Sequence, residues 1–292
     1  MRIIKYLLIG FLGFSLSANA QKKIAENTLL WEISGNGLAK PSYLFGTYHF
    51  ADKGFVDTMK VLNEKFIAAD IVVGELIITK ELAIKLMPYM IMKGNSLDKL
   101  LSASEYKLID DYLKSLGKYE LKMFNVFSPM AVQTMIIQMT SPVTFTDTNP
   151  AIDQYFQDYG KENNKEVIGL ETLEEQAQIL FGSSLERQKE VLVKYVKEAD
   201  KNKAESKKLY EDYITQNLKA IEKTFSKLDD FTPEENNRLL KNRNIKWIEK
   251  LPNLMQNKSL FIAIGAGHLV GKNGLIKGFQ AKGYAVKPVA TN

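Results

Sequence analysis

Only two histidines occur in this chain of 292 residues, His49 and His268, and each closes a Gly-x-x-His that directly follows an apolar run. Histidine is the side chain suited to moving protons near neutral pH and is the commonest metal ligand. The two motifs are Gly46-Thr47-Tyr48-His49 and Gly265-Ala266-Gly267-His268. In an open α/β sheet, the loops leaving the carboxyl ends of the strands form the ligand crevice. If the strands before the two motifs are parallel neighbours, both imidazoles reach one cleft. Gly46, Gly265 and Gly267 then let the backbone turn sharply and approach a bound ion or substrate, with Thr47 in the same backbone shell. Either histidine alone reads as a turn residue satisfying a local hydrogen bond; the pair reads as a site.

Two carboxylates extend the pattern. Glu75 lies at the exit of the strand Asp70 to Leu76, and Glu171 at the exit of the run Lys165 to Leu170. In a parallel sheet both lie on the edge that carries the histidines. Two imidazoles with one or two carboxylates make a nitrogen and oxygen donor set for Zn²⁺, Mn²⁺ or Co²⁺, able to acidify a bound water. Without a metal, one histidine serves as general base and a glutamate as its partner or as an acid. Glu75 also reads as a strand-end residue paired with Lys or Arg, and Glu171 as one of several acids (with Glu174 and Glu175) near a helix start. Arg243, four residues before Trp247, has two readings as well: a guanidinium facing the cleft to hold a carboxylate or an oxyanion, or a surface arginine beside a core tryptophan. No GxxxxGK[ST], HExxH, GxSxG or dinucleotide fingerprint occurs, so the sequence offers no support for NTP hydrolysis, zincin or α/β-hydrolase chemistry, or a redox cofactor.

The elements that must place these residues follow from periodicity. Thr28 to Ser34 and Ser42 to Gly46 flank Gly35-Asn36-Gly37, a hairpin whose turn needs positive φ. The second strand runs into His49, a helix with Val56, Met59 and Phe66 follows, and Asp70 to Leu76 is a buried strand. The far end of the chain repeats this order: strand Ser259 to Ile264, then His268, helix Leu275 to Ala281 and strand Gly283 to Val289. The fold expected is therefore α/β, a mostly parallel sheet built from two related strand-GxxH-helix-strand halves. Helical insertions fall at about 80–140 and 184–251. The second of these is rich in Lys and Glu, and its charges read as a solvated face.

Length and composition are compatible with a single elaborated domain over 21–292, preceded by 1–20 as a separate segment. Hydrophobic residues at 45% and charged residues at 25% are the ordinary globular balance and exclude disorder and collagen-like structure. Residues 1–20 combine Arg2 and Lys5, an apolar stretch from Tyr6 to Leu16, and Ala18 and Ala20 before Gln21, the pattern of a cleaved secretory signal peptide. Arg2 and Lys5 account for two of the +5 formal charges, and the +3 that remains does not argue for a nucleic-acid partner. The absence of cysteine excludes disulfides, thiol catalysis and thiolate ligation. The mature chain is expected to be exported, with the periplasm as default compartment and the extracellular space as the alternative, and without stable membrane insertion.

With Leu44-Phe45-Gly46-Thr47-Tyr48-His49, Gly74-Glu75, Gly169 to Gln176, Arg243-Asn244-x-x-Trp247 and Gly265-Ala266-Gly267-His268 in this order, the chain resembles the TraB/GumN family, which includes the Tiki proteases that cleave the amino-terminal part of Wnt proteins. The resemblance spans roughly residues 28–290. It implies a Tiki-like fold of two related halves and a Mn²⁺- or Co²⁺-dependent peptidase site. His49 and His268 match the motif histidines, and Glu75, Glu171 and Arg243 the other polar motif positions. Tyr48 stands where the family often has an aliphatic residue. The function expected is thus an exported metal-dependent peptidase. His49, His268 and Glu75 hold or flank the ion, Glu171 is a further ligand or general base, and Arg243 steadies the substrate. The alternatives are a metal-free hydrolase of ester-like small molecules, and a protein that binds a peptide or signal in the same cleft without turnover.

Overall fold

A computed structural model describes residues 27–227 and 231–292 of the chain. The expected signal peptide at 1–20 lies outside the described residues. The apolar, β-rich runs form six strands of one sheet: β1 (Leu30–Ser34), β2 (Ser42–Thr47), β3 (Ile71–Gly74), β4 (Glu166–Gly169), β5 (Leu260–Gly265) and β6 (Ala285–Val289). They lie in the order β4-β3-β5-β2-β1-β6. The four strands from β4 to β2 are parallel, and β1 runs antiparallel to both β2 and β6. β2 and β3 are buried along their whole length, and β5 up to its last residue. That explains why they read as continuous apolar runs: both faces of a mostly parallel sheet are covered by helices. The turn between β1 and β2 places Gly35, Asn36 and Gly37 at φ of 76°, 48° and 82°, the left-handed geometry expected of it.

Both halves of the expected repeat are present. β2 leads through the helices Lys53–Asp57 and Lys60–Ala68 to β3, and β5 leads through the helix Leu275–Ala281 to β6. The halves interlock, because β5 sits between β2 and β3. The two strands that carry the GxxH motifs are thereby parallel neighbours, with Thr47 in register with Gly265.

One face of the sheet is anchored by an aromatic cluster. Phe45 and Phe261 meet Phe66 and Phe156 with ring centroids 4.8–6.1 Å apart, and all four rings are fully buried. Burying a phenylalanine side chain is favourable by about 1.5–3 kcal/mol, so this contact pins the Ile152–Glu162 helix against the sheet. Helices of the two inserted regions, among them Ala103–Leu116, Pro129–Met139 and Leu185–Lys197, build a second core from residues such as Ile109, Leu113, Ile136 and Leu192. Within the second insertion a π-turn, Asn237–Lys241, feeds directly into the Asn242–Met255 helix. Such turns shift the face a helix presents and recur at functional sites; here the shift comes immediately before Arg243.

Candidate active site

Because β2, β5, β3 and β4 are parallel, their carboxyl ends deliver His49, His268, Glu75 and Glu171 to one edge of the sheet. The pairing of β3 with β4 continues past the strands: Leu170 N–H donates to Gly74 O at 3.0 Å and Glu171 N–H to Glu75 O at 2.9 Å, so the two glutamates leave the sheet side by side. Gly46, Gly265 and Gly267 all have ordinary φ values, so none is needed for a sharp turn. Space is the reason for glycine: a Cβ on Gly46 would come within 3.0 Å of Ala266, and one on Gly267 within 2.7 Å of the Phe225 ring. The two GxxH loops therefore press against each other. Tyr213 adds a hydroxyl donated to the Gly46 carbonyl at 3.0 Å.

Arg243 is buried at the centre of the cluster; the surface reading of this residue does not hold, while Trp247 is the core anchor expected, at 1% exposure. Its guanidinium donates to both Glu171 oxygens at 2.7 and 2.9 Å, to Glu75 Oε2 at 2.5 Å and to His268 Nε2 at 3.0 Å. Glu75 Oε1 accepts the Gly265 N–H at 2.8 Å, which ties the carboxylate to the second GxxH loop. Burial alone would raise the Glu75 pKa, but His268, Arg243 and His49 around it, with the Gly265 N–H, hold it at about 2. Glu75 is therefore ionised across the physiological range.

The same helical turn fixes His268. An arginine only donates, so His268 Nε2 must carry a lone pair, and Nδ1 then carries the proton. That proton goes to Asn244 Oδ1 at 2.7 Å, while Asn244 Nδ2 donates to the carbonyls of His268 and Asn273 at 3.2 and 2.9 Å. Trp247 covers the imidazole, with ring centroids 4.5 Å apart. With its side chain 5% exposed, His268 is kept neutral: burial lowers its pKa to about 3, against the pull of Glu75 and with help from Arg243.

His49 has the opposite setting. Its side chain is 65% exposed, and Nδ1 lies 3.0 Å from Asp153 Oδ2. The other Asp153 oxygen accepts the Thr47 hydroxyl at 2.7 Å, so one carboxylate joins both polar positions of the first motif. Asp153 raises the His49 pKa to about 9, although solvent around so open a side chain screens part of that attraction. Asp153 reaches His49 because the segments before each are zipped together: Lys53 N–H donates to Pro150 O, Ile152 N–H to Ala51 O, and Gly54 N–H to Asn149 Oδ1, at 2.8–3.0 Å.

Two residues that hold the histidines in place thus escape a reading of the sequence by motif. Asp153 stands alone after Asn149-Pro150, and its only signal is an acid in the first turn of a helix. Asn244 lay in plain view inside Arg243-Asn244-x-x-Trp247, whose spacing places three side chains around one imidazole. The donor set expected for a metal, His49, His268 and Glu75, is present along the same edge, but its lone pairs do not converge on one point. Among the described residues no three His, Asp or Glu side chains group in that way. Arg243 fills the lone pair of His268 Nε2, one oxygen of Glu75 and both oxygens of Glu171, so in this arrangement the residues do not fit a divalent ion.

Fold and site together define an α/β protein with paired GxxH loops, its charged cluster at the carboxyl edge of a largely parallel sheet. The model of the TraB/PrgY/gumN family matches residues 29–288, and the chain belongs to that family. Two relatives are similar at low identity. A protein of Nematostella vectensis, named Metalloprotease TIKI homolog, is 22% identical over 98% of this chain and 74% of its own length. Metalloprotease TIKI2 of Danio rerio is 23% identical over 89% of this chain and 61% of its own length, so the chain spans about three fifths of that relative. No solved structure matches the chain.

Proposed function

We propose that this chain is an exported hydrolase that cleaves peptide bonds at the sheet edge that carries its two GxxH loops. The observation that carries the reading is the contrast between the histidines at one sheet edge, His49 open and charged on Asp153, His268 buried and neutral on Arg243 and Asn244. Environments that push two titratable groups apart assign their roles. His49 keeps a proton at neutral pH and presents Nε2 to a substrate, placed to protonate the departing amine as the C–N bond breaks and the oxygen of a water bonds to the acyl carbon. Glu75, Arg243 and Glu171 form a charged wall that holds the second loop rigid beside it. The names of the two relatives support the peptide bond as target and bring a metal with them. Because Arg243 fills the lone pairs that an ion would need, the geometry favours the metal-free form of the reaction, and no step is routed through an ion.

The test is cleavage of a mixed peptide library by residues 21–292, after exhaustive chelation and again with Mn²⁺, Co²⁺ or Zn²⁺, beside His49→Ala and His268→Ala. Cleavage abolished by His49→Ala and declining above about pH 9, where His49 loses its proton, is the expected result. Turnover found only with added ion would overturn the metal-free form and require Arg243 to leave Glu75 and His268. Cleavage undiminished in both variants, or absent under every condition, would overturn the function.

A further inference from the structure

The first insertion begins with a helix, Leu82–Met90, whose sequence Leu-Ala-Ile-Lys-Leu-Met-Pro-Tyr-Met carries one charge, yet none of its residues is buried. A helix that is apolar all round is ordinarily covered by protein or by lipid. Leu82, Leu86 and Met90 recur at a spacing of four and are half-buried, on the side where the helix packs against the Leu173–Phe181 helix. The opposite stripe, Ile84, Met87, Pro88 and Ile91, is exposed throughout, with Ile84 at 71%. Backbone hydrogen bonds join the end of this helix to a second exposed segment: Met92 N–H donates to Val126 O at 2.8 Å and Ser128 N–H to Met90 O at 2.7 Å. Met123 and Val126 of that segment are exposed as well. Single exposed apolar residues need no explanation, but a contiguous set marks an interaction surface.

Lysines frame this surface. Lys80, Lys85 and Lys93 lie on or beside the helix and Lys118 and Lys122 on the second segment, all exposed, against Glu81 and Glu120. Glu120 holds Lys122 at 2.5 Å, and Lys80 and Lys85 both attract Glu81, so the charge left over around the apolar stripe is positive. Such a surface complements an anionic bilayer: apolar side chains enter the acyl boundary while ammonium groups reach the headgroups. The same lysines oppose a second copy, because a two-fold contact sets the patch on its own image and lysine against lysine. Peptides are taken by grooves and sheet edges, whereas Ile84 stands on the convex side of a helix.

We propose that the Leu82–Met90 helix is a lipid-docking surface, lying along an anionic phospholipid bilayer with Ile84, Met87 and Ile91 in the acyl boundary and Lys80, Lys85 and Lys93 among the headgroup phosphates. The contact is peripheral; among the described residues no helix is long and apolar enough to cross a membrane. Docking keeps the charged cluster near the lipid, since the helix follows β3 and Glu75 and packs on the helix that starts two residues after Glu171.

Residues 21–292 are mixed with vesicles of phosphatidylcholine alone or of phosphatidylcholine with phosphatidylglycerol, and bound protein is measured by flotation. Expected is binding about a hundredfold tighter to the anionic vesicles, the contribution of three lysines at the surface, weakening as salt is raised. Lys80→Gln/Lys85→Gln/Lys93→Gln should bring that affinity close to the one for neutral vesicles, and Ile84→Gln/Met87→Gln should lower it by about tenfold or more. All five side chains are exposed, and unchanged urea midpoints check that both variants keep the fold. The chain has no cysteine, so Ile84→Cys carries a single environment-sensitive dye. Its emission should shift to the blue on anionic vesicles, while the same dye at Lys287→Cys, on the edge strand β6, should not respond. No preference for anionic vesicles, undiminished binding in either variant, or an unmoved emission from Ile84→Cys would each overturn the proposal. So would wild-type dimers, seen by sedimentation, that Ile84→Gln/Met87→Gln dissociates, since the patch would then belong to a second copy.

Discussion

Replacing Arg243 with methionine keeps an unbranched stem in the centre of the site and removes the guanidinium group with its charge and its donors. Glu75 and Glu171 are then left buried side by side without a counter-charge, and His268 Nε2 without a donor. Removing one partner from a buried ion pair costs about 3–5 kcal/mol, chiefly because the other charge stays buried and unpaired. A second route gives a similar figure. The surroundings of Glu75 lower its pKa from 4.5 to about 2, and at about 1.4 kcal/mol for each tenfold change in acidity this contributes about 3 kcal/mol to stability. In the wild type that contribution is present above the ordinary carboxylate pKa and is lost as pH falls through about 2. In Arg243→Met, burial still raises the Glu75 pKa while His268, His49 and the Gly265 N–H still lower it, so loss of the guanidinium moves the pKa up from about 2. The part of the stability that Arg243 supplies is therefore present at neutral pH and is lost as pH falls through the Glu75 pKa of the variant. Urea unfolding of both proteins, with midpoints compared at unchanged slope, should show a gap of about 3–5 kcal/mol near pH 7 that narrows as pH falls through the carboxylate range. A cost below about 1 kcal/mol, typical of an exposed pair, or a gap independent of pH would refute Arg243 as the resident counter-charge.

Further outcomes follow from the same geometry. With only two histidines, proton NMR resolves both titrations: His49 should keep its proton well above its ordinary pKa of 6.5, and His268 should stay neutral down to about 3. Asp153→Asn should bring the His49 titration back toward 6.5, and an unmoved His49 curve would refute the pairing. Asn244→Ala removes the acceptor of His268 Nδ1–H and the donor to two carbonyls, and should lower unfolding stability by about 1–3 kcal/mol; a stability equal to wild type in urea would contradict the buried network. Gly267→Ala places a methyl group 2.7 Å from the Phe225 ring and should cost about 1–3 kcal/mol. Adding Phe225→Leu should recover part of that loss in thermal unfolding, and no recovery would place the strain elsewhere.

Much of this architecture is legible in the order of residues because it rests on local rules. Continuous apolar runs such as Leu260 to Ile264 can be buried only as central strands, and Gly35-Asn36-Gly37 can turn only where positive φ is allowed, so the hairpin and the strand-GxxH-helix-strand halves follow from composition at short range. The rarity of histidine, with both copies in one motif, marked the site. The rest depended on contacts between residues far apart in the chain. That β5 enters between β2 and β3 is a matter of how two half-sheets bury their apolar faces together, and no local periodicity encodes it. Arg243 illustrates the same limit: its spacing from Trp247 suits a surface helix as well as a buried one, and only packing of the Asn242–Met255 helix against the Leu275–Ala281 helix, with Trp247 on His268, turned the guanidinium onto Glu75, Glu171 and His268.

What the sequence determined by itself is the supply of groups: two histidines, two strand-end glutamates and one arginine, on elements whose type their neighbours dictate. What the tertiary structure decided is the charge each of them carries. His49 and His268 close the same motif, yet one is protonated beside Asp153 in open solvent and the other is neutral beneath Trp247. A pKa is set by burial and by the charges within a few ångströms, and those neighbours come from a helix that starts about a hundred residues after His49 and another that lies 25 residues before His268.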